Sequence, residues 1–130
     1  ARHVTGVLAH LLRIESVPSA QEQAKTAAAT ICGKPVAHAA VPWFWSDQFD
    51  LKLQMVGLSE GYDRLVLRGD PATESFSAFY LKQGVVISVD AINRPQDFMV
   101  AKRLVAVRAQ IDPALLTDEG VALKSLLPTC

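Results

Sequence analysis

Residues 42–48, Pro42-Trp43-Phe44-Trp45-Ser46-Asp47-Gln48, stand where the hydrophobic period of the chain changes from helical to alternating. Both tryptophans of the protein lie here, two positions apart, with Phe44 between them. In an extended segment alternate residues share a face, so Trp43 and Trp45 point one way and Phe44 the other. An aromatic surface of that size is costly to leave in water. It serves either as the inner face of a core strand or as a place where something docks. Ser46, Asp47 and Gln48 follow as a polar cluster suited to a turn.

Downstream, the pattern is that of strands. Leu51, Leu53 and Met55 alternate with Lys52, Gln54 and Val56, and Arg64-Leu65-Val66-Leu67-Arg68 alternates again. Residues 75–81 and 85–89 give two more strands. Ser59-Glu60-Gly61, Gly69-Asp70-Pro71 and Lys82-Gln83-Gly84 are the turns between them. Consecutive strands with short links predict an antiparallel meander. Arg94-Pro95 stops the last strand. Residues 97–108 return to helical spacing, with Phe98, Ala101, Leu104 and Val105 along one stripe. Residues 112–116 start another helical turn, and 121–127 form a last short helix.

Upstream, residues 34–42 read as a connector holding Pro35 and Pro42. Ser16-Val17-Pro18-Ser19 opens a helix. Ser19 with Glu22 has the capping-box spacing, and Pro18 suits the first turn. Ala24, Ala27, Ala28 and Ile31 recur at helical spacing, a small-residue face suited to close packing on another element. Gly33 caps the C-terminus and Pro35 prevents continuation. Residues 1–14 are apolar but irregular, a short strand or a surface loop. The fold class is α+β: an antiparallel sheet of four to five strands with helices packed on it.

Composition sets bounds. The 130 residues, 50% hydrophobic and 20% charged, make one domain, or one domain plus part of another. Thirteen basic residues balance thirteen acidic ones, which argues against non-specific nucleic-acid binding. No apolar run approaches the roughly 20 residues that span a bilayer. Cys32 and Cys130 make neither a disulfide framework nor a metal spacing, and Cys32 reads as a small buried hydrophobe. His3, His10 and His38 are scattered without metal-ligand spacing. Glu15, Asp47 and Asp50 lack a histidine partner in any nucleophile–base arrangement, and Asp47 reads as a backbone cap or turn. The chain starts without Met, which points to a processed, trimmed or excised polypeptide.

The segment from Pro42 to Gln48 resembles the aromatic signature of FAD-dependent NADH:ferredoxin reductases of the putidaredoxin reductase type. Other anchors follow in the same order as in that family. Arg13-Ile14-Glu15-Ser16-Val17-Pro18-Ser19-Ala20 is similar to the opening of the last helix of the family's FAD domain, and Gly33-Lys34-Pro35 to that helix's end. Gly57-Leu58-Ser59-Glu60-Gly61-Tyr62-Asp63, Phe79-Tyr80-Leu81 and Asn93-Arg94-Pro95 resemble the later strands and the start of the final helix. The two Gly-rich dinucleotide motifs of the family are missing from this chain, and its Gly-Asp flavin motif would fall just before Ala1. Asn is usual where Ser19 stands. The resemblance thus covers the last third of a reductase: residues 1–42 as the tail of the FAD domain and 43–130 as the C-terminal interface domain.

The resemblance implies roles. The helix opening at Val17 and Pro18 would aim its N-terminus at the flavin, with Trp45 lining the ring and Trp43 toward the surface. Lys25, Lys102 and Lys124, with Trp43, would meet an acidic [2Fe–2S] ferredoxin that serves an oxygenase. The cofactor would be FAD and the reductant NADH, in a cytoplasmic enzyme, with only part of the FAD site built by these residues. Two other readings stand beside it. One is a freestanding module that binds a redox partner without chemistry. The other is a piece of an apoptosis-inducing-factor-like flavoprotein, which has a similar aromatic-Ser-Asp motif.

Overall fold

The computed structural model describes residues 3–4, 11–12, 14–38 and 40–128, with no side-chain description before Ile14. His10 and Cys130 lie outside the described residues. The chain forms two compact units, residues 1–44 and 45–130.

In the first unit, β1 (His3–Val4) pairs antiparallel with β2 (Leu11–Leu12). The helix α1 covers Val17–Ile31. Its N-cap is Ser16, not Ser19: the Ser16 side chain accepts from the Ser19 N–H at 3.2 Å. The capping box expected from Ser19 and Glu22 is therefore absent. Ser19 already lies inside the first turn, where its hydroxyl accepts from Gln23 Nε2 at 2.8 Å. Glu22 turns outward to Lys25 instead. The helix ends as the sequence predicts. Gly33 adopts φ 75°, its N–H bonds the Thr30 carbonyl, and the Lys34 N–H reaches back to Ala29. That pair of bonds is the Schellman pattern, which needs a left-handed residue at this point.

Two expectations about α1 fail. Ala24, Ala27 and Ala28 are exposed, and Ile31 is 86% exposed, so the small-residue face meets no element here. Cys32 is exposed as well, because the cap position follows that open face around the end of the helix.

The second unit is built on a five-stranded sheet in the order β3-β4-β7-β6-β5. Its strands are β3 (Trp43–Gln48), β4 (Leu51–Gly57), β5 (Arg64–Asp70), β6 (Ser75–Lys82) and β7 (Val85–Ile92). The polar cluster Ser46-Asp47-Gln48 is strand rather than turn, and the bend falls at Phe49 and Asp50. Phe49 takes φ 53° there, an uncommon conformation for a bulky side chain. The β5–β6–β7 run is the expected meander. The β4–β5 step is not: residues 58–63 carry the chain to the far edge, and β7 later fills the gap beside β4. Three strand spacings are roughly 14 Å, within reach of a link of that length.

One face of the sheet is the core. Val56, Phe79, Val89 and Ala91 are at most 1% exposed and pack under α2 (Pro95–Ala106). The helix buries the stripe the sequence predicts: Phe98, Ala101, Leu104 and Val105. The strand alternation resolves differently from its simplest reading. On β4 it is Val56 that points into the core, while Met55, opposite Asp90, lies on the other face. On β5, Val66 and Arg68 are buried whereas Leu65 and Leu67 are exposed. Gly57 closes β4 at φ 80°, where a Cβ would collide with the Ile87 carbonyl.

Arg68 explains its own burial. Its Nη1 donates to the carbonyls of Leu116 and Asp118 at 3.1 and 2.7 Å. Its Nη2 donates to Glu119 and Val121 at 3.4 and 2.8 Å. One guanidinium thereby gathers the segment after α3 (Pro113–Thr117) under β5. Asp97, at 3.8 Å from Nε, balances the charge. Asp97 also accepts from Ser77 and pairs with Arg94, which holds Glu119.

Candidate functional site

The N-terminus of α1 is the first part of the site. Ser16 takes the Ser19 N–H through its hydroxyl and the Ala20 N–H through its carbonyl. Pro18 has no N–H. The Val17 N–H has no acceptor among the described residues, and Val17 is 58% exposed. No acidic side chain stands in the first turn. Within the first turn no carboxylate offsets the positive end of the helix, an arrangement that favours a negatively charged group, and Glu15 stands just ahead of the Ser16 cap. Glu22 lies a turn further on, and its carboxyl is held below the ordinary value by the Lys25 ammonium at 2.7 Å.

Pro18 and Ser19 also line a recess of about 20 Å³ with Ile14, Glu22, His38 and Trp43, room for a single water molecule. The segment through residues 40–43 runs along the first turns of α1 and brings Trp43 with it. Trp43 is consequently half-buried, while Trp45 is 41% exposed. In this chain Trp43 is thus the less exposed of the two indoles. Phe44 is 43% and Phe49 fully exposed, so the aromatic segment is not a core strand with its rings inside.

The expected docking lysines fall in two groups. Lys25 is exposed on α1, in the first unit, and is paired with Glu22. Lys102 and Lys124 belong to the second unit. Lys102 sits on α2 with its ammonium 5.7 Å from the centre of the Phe98 ring, a cation–π geometry. Lys124 is exposed on a short 3₁₀ turn, Leu123–Leu126, that packs on α2. Among the described residues no group of acidic, histidine and cysteine side chains could hold a metal ion. None of the described helices is long and apolar enough to cross a membrane.

One polar pair escaped the sequence reading. The Tyr80 hydroxyl donates to Asp90 Oδ2 at 2.8 Å, and the Tyr62 ring meets Tyr80 edge-on at 5.0 Å. Burial pushes the Asp90 carboxyl above its ordinary value, opposed by the Tyr80 bond. Tyr80 is pushed up to about 12 by burial and by Asp90. The signal was an aspartate one residue past the predicted end of an apolar strand.

Comparison with known proteins gives the same architecture. The family model described as Reductase C-terminal matches residues 43–127. Putidaredoxin reductase CamA of Pseudomonas putida is 51% identical over 116 residues, 89% of this chain and 28% of its own length. A ferredoxin–NAD(P)(+) reductase of a Sphingomonas species is 47% identical over the same shares. The crystal structure of the covalent putidaredoxin reductase–putidaredoxin complex superimposes with a TM-score of 0.89 at 48% identity. That match covers 96% of this chain and 30% of the other. The chain thus spans somewhat over a quarter of the length of the relatives it matches.

Proposed function

This chain belongs to the Reductase C-terminal family, shared with the ferredoxin reductases, and on that premise we propose that it is the C-terminal part of an FAD-containing reductase. The complete enzyme passes electrons from NADH to a [2Fe–2S] ferredoxin that feeds an oxygenase. Residues 1–42 are the tail of its FAD domain and 43–130 its interface domain. The observation that carries the reading is the α1 terminus, with its accessible Val17 N–H and no first-turn acid, in a chain 51% identical to a putidaredoxin reductase.

FAD, when bound, supplies hydride acceptance and single-electron release. The chain's own residues do the rest. Val17 and Pro18 present the positive end of α1, which favours negative charge on a neighbouring ring edge. On this reading Trp45 is the aromatic side chain that lines the flavin ring. Lys102 and Lys124 attract the acidic partner and orient it, and Trp43 and Lys25 add contacts. The exposed Glu22–Lys25 pair presents no net charge, so Lys25 steers less than Lys124.

The test separates the two half-reactions in the complete reductase. Lys102→Glu and Lys124→Glu should slow ferredoxin reduction and flatten its dependence on ionic strength. Lys25→Glu should do so less. NADH-to-ferricyanide turnover, which needs no docking, should stay at the unmodified level. Stopped-flow traces in which both half-reactions slow together would reject the docking roles.

A further inference from the structure

Between Asp118 and Val121 the chain is neither helix nor strand, yet it is held from two sides. On one side Arg68 takes its carbonyls. On the other, Arg94 Nη2 donates to the Glu119 carboxylate. The Arg94 guanidinium is itself set in place, by Asp97 at 3.4 Å from Nη1 and by the Ser75 hydroxyl at 3.3 Å from Nε. It lies across the backbone of Gly69, which takes φ 91°. A Cβ at that position would come within 2.6 Å of Arg94 Nη2 and 2.8 Å of the Ser75 carbonyl oxygen. A glycine on β5 thus leaves the room that this arginine fills. The Glu119 side chain is 54% exposed, and an ion pair so open to water adds little to global stability. What it fixes is a position. Just past Val121 the chain enters the 3₁₀ turn Leu123–Leu126, which buries Leu123, packs on α2 and leaves Lys124 exposed.

We propose that Arg94 and Glu119 are positioning residues for ferredoxin docking: their ion pair holds the turn that carries Lys124 against the helix that carries Lys102. The spacing of the two lysines is then set before the partner arrives. This rests on the reading of Lys102 and Lys124 as docking lysines. Arg94 is the N-cap residue of α2, and Asp97, its other carboxylate partner, lies in the first turn of that helix. The turn and the helix therefore share one network. A turn released at Glu119 would have to be ordered again on binding, at a cost in affinity. Charge by itself acts in the opposite sense. Glu119 is an exposed acid close in sequence to Lys124, and removing it would strengthen attraction for an acidic partner. Positioning and simple charge therefore differ in sign.

In the complete flavin-loaded reductase, Glu119→Ala should raise the KM for ferredoxin about fivefold. It should leave kcat at saturating ferredoxin, and NADH-to-ferricyanide turnover, at the wild-type level. Glu119→Gln, which still offers an oxygen to Arg94, should keep KM close to wild type. In a Lys124→Ala background, Glu119→Ala should raise KM no further, because it acts through that lysine. A KM that Glu119→Ala lowers or leaves unchanged would overturn the proposal. So would a rise of equal size with and without Lys124. A joint fall in kcat and ferricyanide turnover would make Glu119 a residue of the fold alone, and would overturn it as well. Lys124→Ala judges the docking reading separately. If that variant has an unchanged KM, the reading falls and takes the proposal with it. If its KM rises while Glu119→Ala is without effect, the positioning role alone is lost.

Discussion

Arg68 shows how much one side chain can organise. Its guanidinium serves four carbonyls and faces Asp97, and nothing shorter or less branched can replace that fork. Arg68→Met should cost about 3–5 kcal/mol, because it leaves four carbonyl acceptors at once without their donor. Arg68→Lys should recover little of the loss in urea denaturation, since a point charge cannot reach all four. Recovery to within a fraction of the wild-type stability would contradict this. Tyr80 makes a second case. Its folded value is raised from 10.0 to about 12. A raised value means stability that is complete below pH 10 and is lost as pH climbs through 12. Ultraviolet titration should therefore show one tyrosinate forming late, and Tyr80→Phe should remove that late step. Neither residue was legible. Leu65-Val66-Leu67 is apolar at every position, so alternation could not say which side of β5 faces inward. The inward face turned out to carry the arginine.

At the scale of elements, clean periods were readable, and one cap and one bend were not. The stripe of α2 was plain because Phe98, Ala101, Leu104 and Val105 recur at helical spacing, with Lys102 and Arg103 breaking the apolar run between them. The start of α1 offered two serines three apart, and the capping-box spacing of Ser19 with Glu22 favoured the second. The structure puts the cap at Ser16, which leaves Pro18 in the first turn, where a missing N–H costs nothing. Ser16→Ala should thus cost about 1 kcal/mol, and Ser19→Ala clearly less. Thermal melts showing the reverse order would move the cap back to Ser19. The β3–β4 bend was misread because Ser46, Asp47 and Gln48 have turn chemistry, whereas the residue that turns is Phe49. A bulky aromatic at positive φ has no local preference to announce it.

At the scale of the molecule, the α+β class and the five strands follow from the alternating runs, and the order of the strands does not. Sequential strands are neighbours about two-thirds of the time, and β4 and β5 are among the exceptions. The absent dinucleotide motifs carry a further expectation: the 130 residues alone should hold FAD weakly, since a helix end and a few ring contacts cannot offset the cost of association. Sub-micromolar binding in equilibrium dialysis would refute it. The position of β7 between β4 and β6 also has a meaning in time. As the chain leaves the ribosome, β3–β4 and β5–β6 emerge as two separate hairpins, each with an open edge. A hairpin alone is marginal in water. Only when residues 85–92 arrive do the two become one sheet, and α2 follows at once to cover it. Any pause in synthesis before Val85 leaves both edges seeking partners on other chains.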